Sequence, residues 1–233
     1  MADAALTWLG HGGFRLDSPG GKRIYLDPWL DNPNCPEGEK QPERIDVLAL
    51  THGHSDHIGN AVDLGKQHSP KVVAIFELAN WLQSQGVPNA ADLAMNKGGT
   101  VDADGVRFTM TQAVHSGGLV GEDGITYLGE PCGFVVELEN GHKVYFSGDT
   151  AVFGDMQLIG RMYEPDVAVL PIGDVFTMGP REAAMALELL GVKRCIPGHY
   201  ATFPLLTGTP DELRRLAPGV EVVAPQPGEA VTL

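Results

Sequence analysis

Three histidines and an aspartate, His52, His54, Asp56 and His57, crowd the stretch Thr51-His52-Gly53-His54-Ser55-Asp56-His57-Ile58-Gly59. The stretch directly follows Ile45-Asp46-Val47-Leu48-Ala49-Leu50, a short apolar run that reads as a buried strand. Imidazoles and carboxylates withdrawn from water need partners, so this set makes a poor core. A divalent cation supplies one partner for all of them. Residues two apart in extended backbone project to the same side, so His52 and His54 can converge on one cation while Asp56 and His57, past the turn, reach a second. Gly53 and Gly59 let the loop bend tightly. Imidazole nitrogen and carboxylate oxygen suit zinc, with bonds of roughly 2.0–2.2 Å, and equally iron, nickel or manganese. The alternative, an incidental histidine-rich turn, lacks a preceding buried strand and flanking glycines.

The 233 residues are enough for a sizeable core, and the 30 Gly and 17 Pro are scattered as turn punctuation without forming a linker. A single domain over 1–233 is expected. Lys and Arg total 16 against 30 Asp and Glu, a formal charge of -14 that repels a phosphate backbone over most of the surface. Nucleic acid is therefore an unfavoured partner, although bound cations leave room for a small anionic substrate. The segment Met1-Ala2-Asp3-Ala4-Ala5-Leu6-Thr7-Trp8 has neither a basic nor an apolar leader region, and no stretch reaches the ~20 apolar residues of a membrane span. A cytoplasmic protein without a membrane partner is expected. Cys35, Cys132 and Cys195 are widely spaced and odd in number, which points to reduced thiols rather than a disulfide framework or thiolate site.

Alternation predicts strands at 5–9, 13–17 and 23–27, a surface loop at 31–42, a helix at 58–66, a strand at 71–75 and a helix at 77–85. Asp104-Gly105 and Asn140-Gly141 mark two hairpins, joining 100–102 to 106–111 and 133–139 to 143–146. Helices at 155–162, 181–190 and 211–216 then alternate with strands at 167–170 and 194–197. Two β-rich blocks that each bring helices suggest an α/β (α+β) arrangement of two packed sheets with helices outside.

Three more polar side chains stand at the ends of apolar strands: His115 in Ala113-Val114-His115-Ser116, Asp149 in Phe146-Ser147-Gly148-Asp149-Thr150, and His199 in Ile196-Pro197-Gly198-His199-Tyr200. Thr-His-x-His-x-Asp-His followed in order by a lone His, Ser-Gly-Asp-Thr and Pro-Gly-His resembles the metallo-β-lactamase superfamily. Trp8-Leu9-Gly10-His11, Leu26-Asp27-Pro28-Trp29 and Phe176-Thr177-Met178-Gly179-Pro180 resemble a narrower branch, the small metal-dependent hydrolases related to ascorbate-6-phosphate lactonase. The resemblance implies a four-layer αββα sandwich with a one- or two-metal site at the sheet edges. It also implies that His52, His54 and His115 bind a first metal, that Asp56, His57 and His199 bind a second, and that Asp149 bridges them.

Two cations ~3.5–4 Å apart lower the pKa of shared water from 15.7 towards ~7, so the expected nucleophile is a metal-bound hydroxide. Asp56 and His57 are then both ligands and catalytic candidates, with Asp56 orienting the hydroxide or receiving its proton. Asp27, before Pro28, is a candidate to hold a ligand histidine through its second ring nitrogen, with an ordinary turn-initiating role equally open. His11 is a candidate for the same outer layer or a structural histidine. Asp174, Thr177, Met178, Tyr200 and Thr202 are candidates to line the pocket or meet substrate, with core packing the alternative for Tyr200. His68 and His142 sit in polar turns and read as exposed. The expected function is hydrolysis of a small, anionic ester, lactone or phosphoester with two divalent ions, zinc first and manganese, iron or nickel open. The alternatives are a phosphodiesterase or nuclease of the same superfamily and a metal-holding sensor without turnover. Assembly into a homo-oligomer is left open.

Overall fold

A computed structural model describes residues 3–233. Met1 and Ala2, part of the segment expected to carry no leader, lie outside the described residues. The first alternating block folds as an antiparallel meander of β1 (Ala5–Trp8), β2 (Phe14–Asp17) and β3 (Arg23–Leu26). β4 (Val47–Ala49) then lies parallel to β3, and after α1 (Ser55–Ile58) and α2 (Ala61–His68) the chain returns as β5 (Lys71–Val73), parallel to β4. Helical crossovers of this kind are what parallel neighbours require. All three residues of β4 are buried, as expected for a strand covered on both faces. α3 (Phe76–Ser84) follows.

The second block builds another sheet. β6 (Thr100–Ala103) and β7 (Val106–Gln112) form the hairpin marked by Asp104-Gly105. β8 (Gly118–Gly121) and β9 (Gly124–Tyr127) form a separate two-stranded ribbon. β10 (Cys132–Glu137) and β11 (Lys143–Phe146) pair around Asn140-Gly141. Then α4 (Met156–Tyr163), β12 (Val167–Pro171), α5 (Pro180–Leu190), β13 (Arg194–Gly198) and α6 (Pro210–Leu216) alternate. Two short strands finish the chain, β14 (Glu221–Val222) and β15 (Ala230–Thr232).

The six-stranded sheet runs in the order β15-β1-β2-β3-β4-β5 and the seven-stranded sheet in the order β14-β13-β12-β11-β10-β7-β6. β15 thus crosses back to pair with β1, Leu6 opposite Val231, so the last strand completes the first sheet. Between the sheets, Phe14 of β2 meets Phe146 of β11 edge-on at 5.8 Å, and Leu6, Leu16, Tyr25, Phe108 and Phe134 are fully buried. Edge-to-face contact of this kind adds to the burial of two large rings. The result is the four-layer αββα sandwich that the sequence resemblance implied.

Several local expectations change. The helix after the histidine cluster starts at Ser55, not Ile58, and breaks at Gly59, whose φ of 43° no side chain takes easily. Residues 118–127, for which the sequence predicts no element, form the β8–β9 ribbon; its strands are largely solvent-exposed, so they leave no alternating burial signature. The 31–42 loop is not all surface: Asn32 is buried and its side-chain amide donates to the Leu9 carbonyl at 3.0 Å, while Cys35 is buried nearby. His68 and His142 are half-buried rather than exposed, His142 lying 3.4 Å from Asp166. The three cysteines are free and buried. Among the described residues, no helix is long and apolar enough to cross a membrane.

Candidate metal centre

The C-terminal ends of β4, β7, β11 and β13 supply the cluster. His52 and His54 follow β4, and α1 begins at once, so Asp56 and His57 are carried on its single turn. His115 follows β7, Asp149 follows β11, and His199 comes directly after β13. Candidate ligand atoms of His52, His54 and His115 lie within 4.8 Å of one another, and those of His11, Asp56, His57 and His199 form a second such group. Asp149 sits between them: its Oδ2 is 3.1 Å from His57 Nε2, 3.1 Å from His199 Nε2 and 3.7 Å from His115 Nε2. The structure therefore brings all seven sequence-predicted ligands together, and adds His11 to the second group.

The tautomers follow from what each ring faces. Asp27 Oδ2 accepts from His57 Nδ1 at 2.8 Å, which leaves the His57 Nε2 lone pair directed into the centre. The same carboxylate accepts from the Thr51 hydroxyl at 2.6 Å and, through Oδ1, from the Thr51 backbone N–H at 2.8 Å. With its proton committed to Asp27, the Thr51 hydroxyl accepts from His52 Nδ1 at 3.0 Å and turns the His52 Nε2 lone pair inward. That nitrogen lies 2.9 Å from His54 Nδ1. Asp27 thus orients His57 directly and His52 through Thr51, the outer carboxylate role its position before Pro28 suggested.

His11 is fully buried between Asp56 and Thr202, with Nε2 2.8 Å from Asp56 Oδ2 and Nδ1 2.9 Å from Thr202 Oγ1. An ionised Asp56 only accepts, so Nε2 carries the proton and Nδ1 accepts from the Thr202 hydroxyl. Both ring nitrogens are then used within the protein, which makes His11 a support for Asp56 instead of a further ligand. His11, Asp27 and His199 all hold positive φ, 50°, 48° and 53°, a concentration of uncommon backbone at one place.

Charges here are strongly coupled. Burial alone lowers the His199 pKa, but the facing carboxylates of Asp149 and Asp56 outweigh it and raise the imidazole to about 9. Burial likewise disfavours charge on His57, yet Asp149 and Asp27 hold its pKa well above the usual histidine range. Burial raises Asp149, and the facing His57 and His199 pull it well below the usual carboxylate range. His11 goes the other way: burial dominates and lowers it to about 4 despite its bond to Asp56.

Among the described residues, the buried atoms His57 Nε2, His199 Nδ1 and His199 Nε2 have no hydrogen-bond partner. Buried nitrogens without partners are costly, and three imidazole–carboxylate approaches to Asp149 Oδ2 await a shared positive charge. Protons provide that charge in part; divalent cations coordinated by neutral imidazoles and carboxylates provide it better, and the donor set fits them.

The centre opens onto a cleft of about 530 Å³ lined by His54, Asp56, His115, Ser116, Asp149, Val175, Phe176, His199 and Phe203. The five expected pocket residues, Asp174, Thr177, Met178, Tyr200 and Thr202, are absent from this lining. Tyr200 is buried and stacks on Trp8 at 4.8 Å, so core packing claims it. Asp174 turns its carboxylate onto its own loop, accepting from the Val175 N–H at 2.7 Å. Thr177 and Met178 also lie off the lining, while Thr202 acts through His11. Ser116, Val175 and Phe203 carried no chemical signal in the sequence, and Phe176 entered only as the first residue of Phe176-Thr177-Met178-Gly179-Pro180, because a lone serine or apolar residue in a loop is ordinarily unremarkable.

A histidine- and aspartate-rich centre at the sheet ends of an αββα sandwich suits a metal-dependent enzyme. The profile described as Beta-lactamase superfamily domain matches residues 22–200, and the chain belongs to that superfamily. It is 49% identical over 238 residues to a UPF0173 metal-dependent hydrolase of Herpetosiphon aurantiacus, covering 100% of this chain and 99% of the relative. It is 50% identical over 225 residues to another from Koribacter versatilis, covering 96% of each. Among solved structures, Igni18, a novel metallo hydrolase from Ignicoccus hospitalis, superposes with a TM-score of 0.87 at 32% identity, covering 100% of this chain and 99% of that one.

Proposed function

We propose that the chain hydrolyses a small carboxylic ester or lactone at a centre holding two divalent cations, zinc being the first choice by donor chemistry. The observation that carries this reading is the pair of buried imidazole nitrogens, His57 Nε2 and His199 Nε2, that face Asp149 Oδ2 at 3.1 Å without a hydrogen-bond partner, beside the open cleft that His199 and Asp149 line. His52, His54 and His115 would hold one ion, Asp56, His57 and His199 the other, with Asp149 between. Ions held there would supply an acidified water and polarisation of the scissile carbonyl. The protein's own share is orientation. Asp27 fixes the lone pairs of His52 and His57, and His11 fixes Asp56 through Oδ2. Asp56 retains 30% exposure of its side chain at the cleft and is the carboxylate placed to orient the attacking water and take its proton.

None of the residues lining the cleft is Lys or Arg, so an anionic substrate finds no protein cation there. This favours the ester and lactone part of the expected range over phosphoesters, and weighs against a nuclease, which needs a basic groove. The test is elemental analysis of the purified protein followed by chromogenic carboxylic esters, lactones and phosphodiesters. Two ions per chain with ester or lactone turnover are expected. Hydrolysis of phosphodiesters alone would overturn the substrate class, and stoichiometric metal with no turnover but tight binding of a metabolite would make the protein a sensor.

A further inference from the structure

The mouth of the cleft carries a feature that metal chemistry does not require. Val175 and Phe176 are 59% and 52% exposed, and Phe203 opposite is 37% exposed, although all three line the cleft. Single exposed apolar residues are ordinary; three around one opening are not.

The backbone beneath two of them is strained. Asp174 and Val175 hold φ of 70° and 60° in succession, and a β-branched residue in the left-handed region is a genuine outlier. The conformation is held on several sides. Asp174 Oδ1 accepts from the Val175 N–H, the Phe176 N–H donates to the Asp174 carbonyl at 2.6 Å, and the Asp174 N–H donates to the Met178 carbonyl at 3.1 Å. The Met178 N–H in turn donates to the Thr150 carbonyl at 3.2 Å, beside Asp149. A strained segment tied to the residue next to Asp149 therefore displays Val175 and Phe176 at the opening. The fold gains nothing from exposing apolar side chains on strained backbone, and strain of this sort is kept where a site uses it.

Phe203 is held in place as well. Its ring lies against Trp29 at 6.0 Å and 30°, and edge-on to His11 at 5.4 Å, the histidine that supports Asp56. Phe203 and the Asp56 carboxylate thus both rest against the His11 imidazole.

We infer that Val175, Phe176 and Phe203 form a specificity wall that receives an uncharged alkyl or aryl group of the substrate beside its scissile carbonyl. The inference rests on the hydrolytic reading above and narrows its substrate class to neutral, apolar-substituted esters or lactones. A polar floor with an apolar wall and no lysine or arginine selects against charged substituents on desolvation grounds. Each methylene transferred from water to such a wall is expected to raise kcat/KM about two- to fourfold until the wall is filled.

The experiment compares the metal-loaded wild type with Phe176→Ala and Phe203→Ala on 4-nitrophenyl esters from acetate to octanoate. A methyl ketone series from acetone to 2-octanone, which keeps carbonyl and chain but has no leaving group, is measured in parallel by ligand-observed NMR. Expected are a rise with chain length in both series for the wild type and a flattened rise in both variants, read within each protein as the ratio of octanoate to acetate kcat/KM and of 2-octanone to acetone affinity. Ester turnover that is flat with chain length, or unchanged by either variant, overturns the wall while leaving the hydrolase reading intact. Ketone binding that rises with chain length, without hydrolysis of any ester, keeps the wall and overturns the hydrolase reading instead. A shift of oligomeric mass in the variants, with chain-length dependence preserved, would assign these side chains to a contact between copies and so overturn the inference.

Discussion

Asp27 does more at the centre than any single ligand, because one buried carboxylate sets the orientation of two imidazoles. Replacing it with Asn keeps the volume but turns one acceptor into a donor that faces either Thr51 or His57. Asp27→Asn is therefore expected to weaken metal binding about 10- to 100-fold, measured by competition with a chromogenic chelator. Asp56→Asn acts differently: it preserves size and leaves the fold in place, as a circular dichroism melt would show, while ester turnover falls by about 10²-fold or more. Unchanged turnover in the metal-loaded Asp56→Asn protein would remove Asp56 from the chemistry. The seven candidate ligands that the structure brings together were legible in the sequence because imidazoles and carboxylates at strand ends are chemically conspicuous. The part played by His11 was not, since its two partners stand 45 and 191 residues away and only folding brings them to its ring.

At the scale of the element, close backbone approach matters as much as strand pairing. Gly53 was expected to allow a bend, but it lacks the positive φ of Gly59; what it allows is contact, because a Cβ there would strike the Gly117 carbonyl oxygen and lie 2.8 Å from Leu128 Cβ. Gly53→Ala should destabilise the protein by about 1–3 kcal/mol in denaturant unfolding, with loss of metal affinity as His52 and His54 are pushed apart. The β8–β9 ribbon makes the opposite case. Val120 and Ile125 face each other across it and are 76% and 75% exposed, so changing both to Thr should move stability by no more than about 0.5 kcal/mol. Strands with a buried face announced themselves by alternation or by unbroken apolar runs. This ribbon, and the short β14 and β15, bury too little to leave such a pattern.

The whole molecule is two sheets whose strand ends converge on one acidic and imidazole-rich edge, so its stability and its chemistry are coupled through whatever cation sits there. In the metal-free protein the facing Asp149 favours the protonated forms of His57 and His199, so metal, which needs neutral imidazoles, binds in competition with protons. Chelation should lower the melting temperature: at free metal about 100 times Kd, each site contributes about 2.7 kcal/mol, and a domain of this size shifts by about 2–4 °C for each kcal/mol. The overall charge of -14 leaves this local exchange intact, since the opposing groups are buried together and little screened. The two-sheet architecture was readable from the order of strands and helices, whereas the return of β15 to β1 was not, because a three-residue strand far from its partner carries no pairing signal of its own. The most direct measurement is a titration of chelator-stripped protein with zinc, following bound metal and hydrolysis of a neutral 4-nitrophenyl ester together. Two equivalents bound per chain, with turnover appearing only as metal binds, are expected; full turnover in the metal-free protein, or no binding at all, would contradict the metal-centred account.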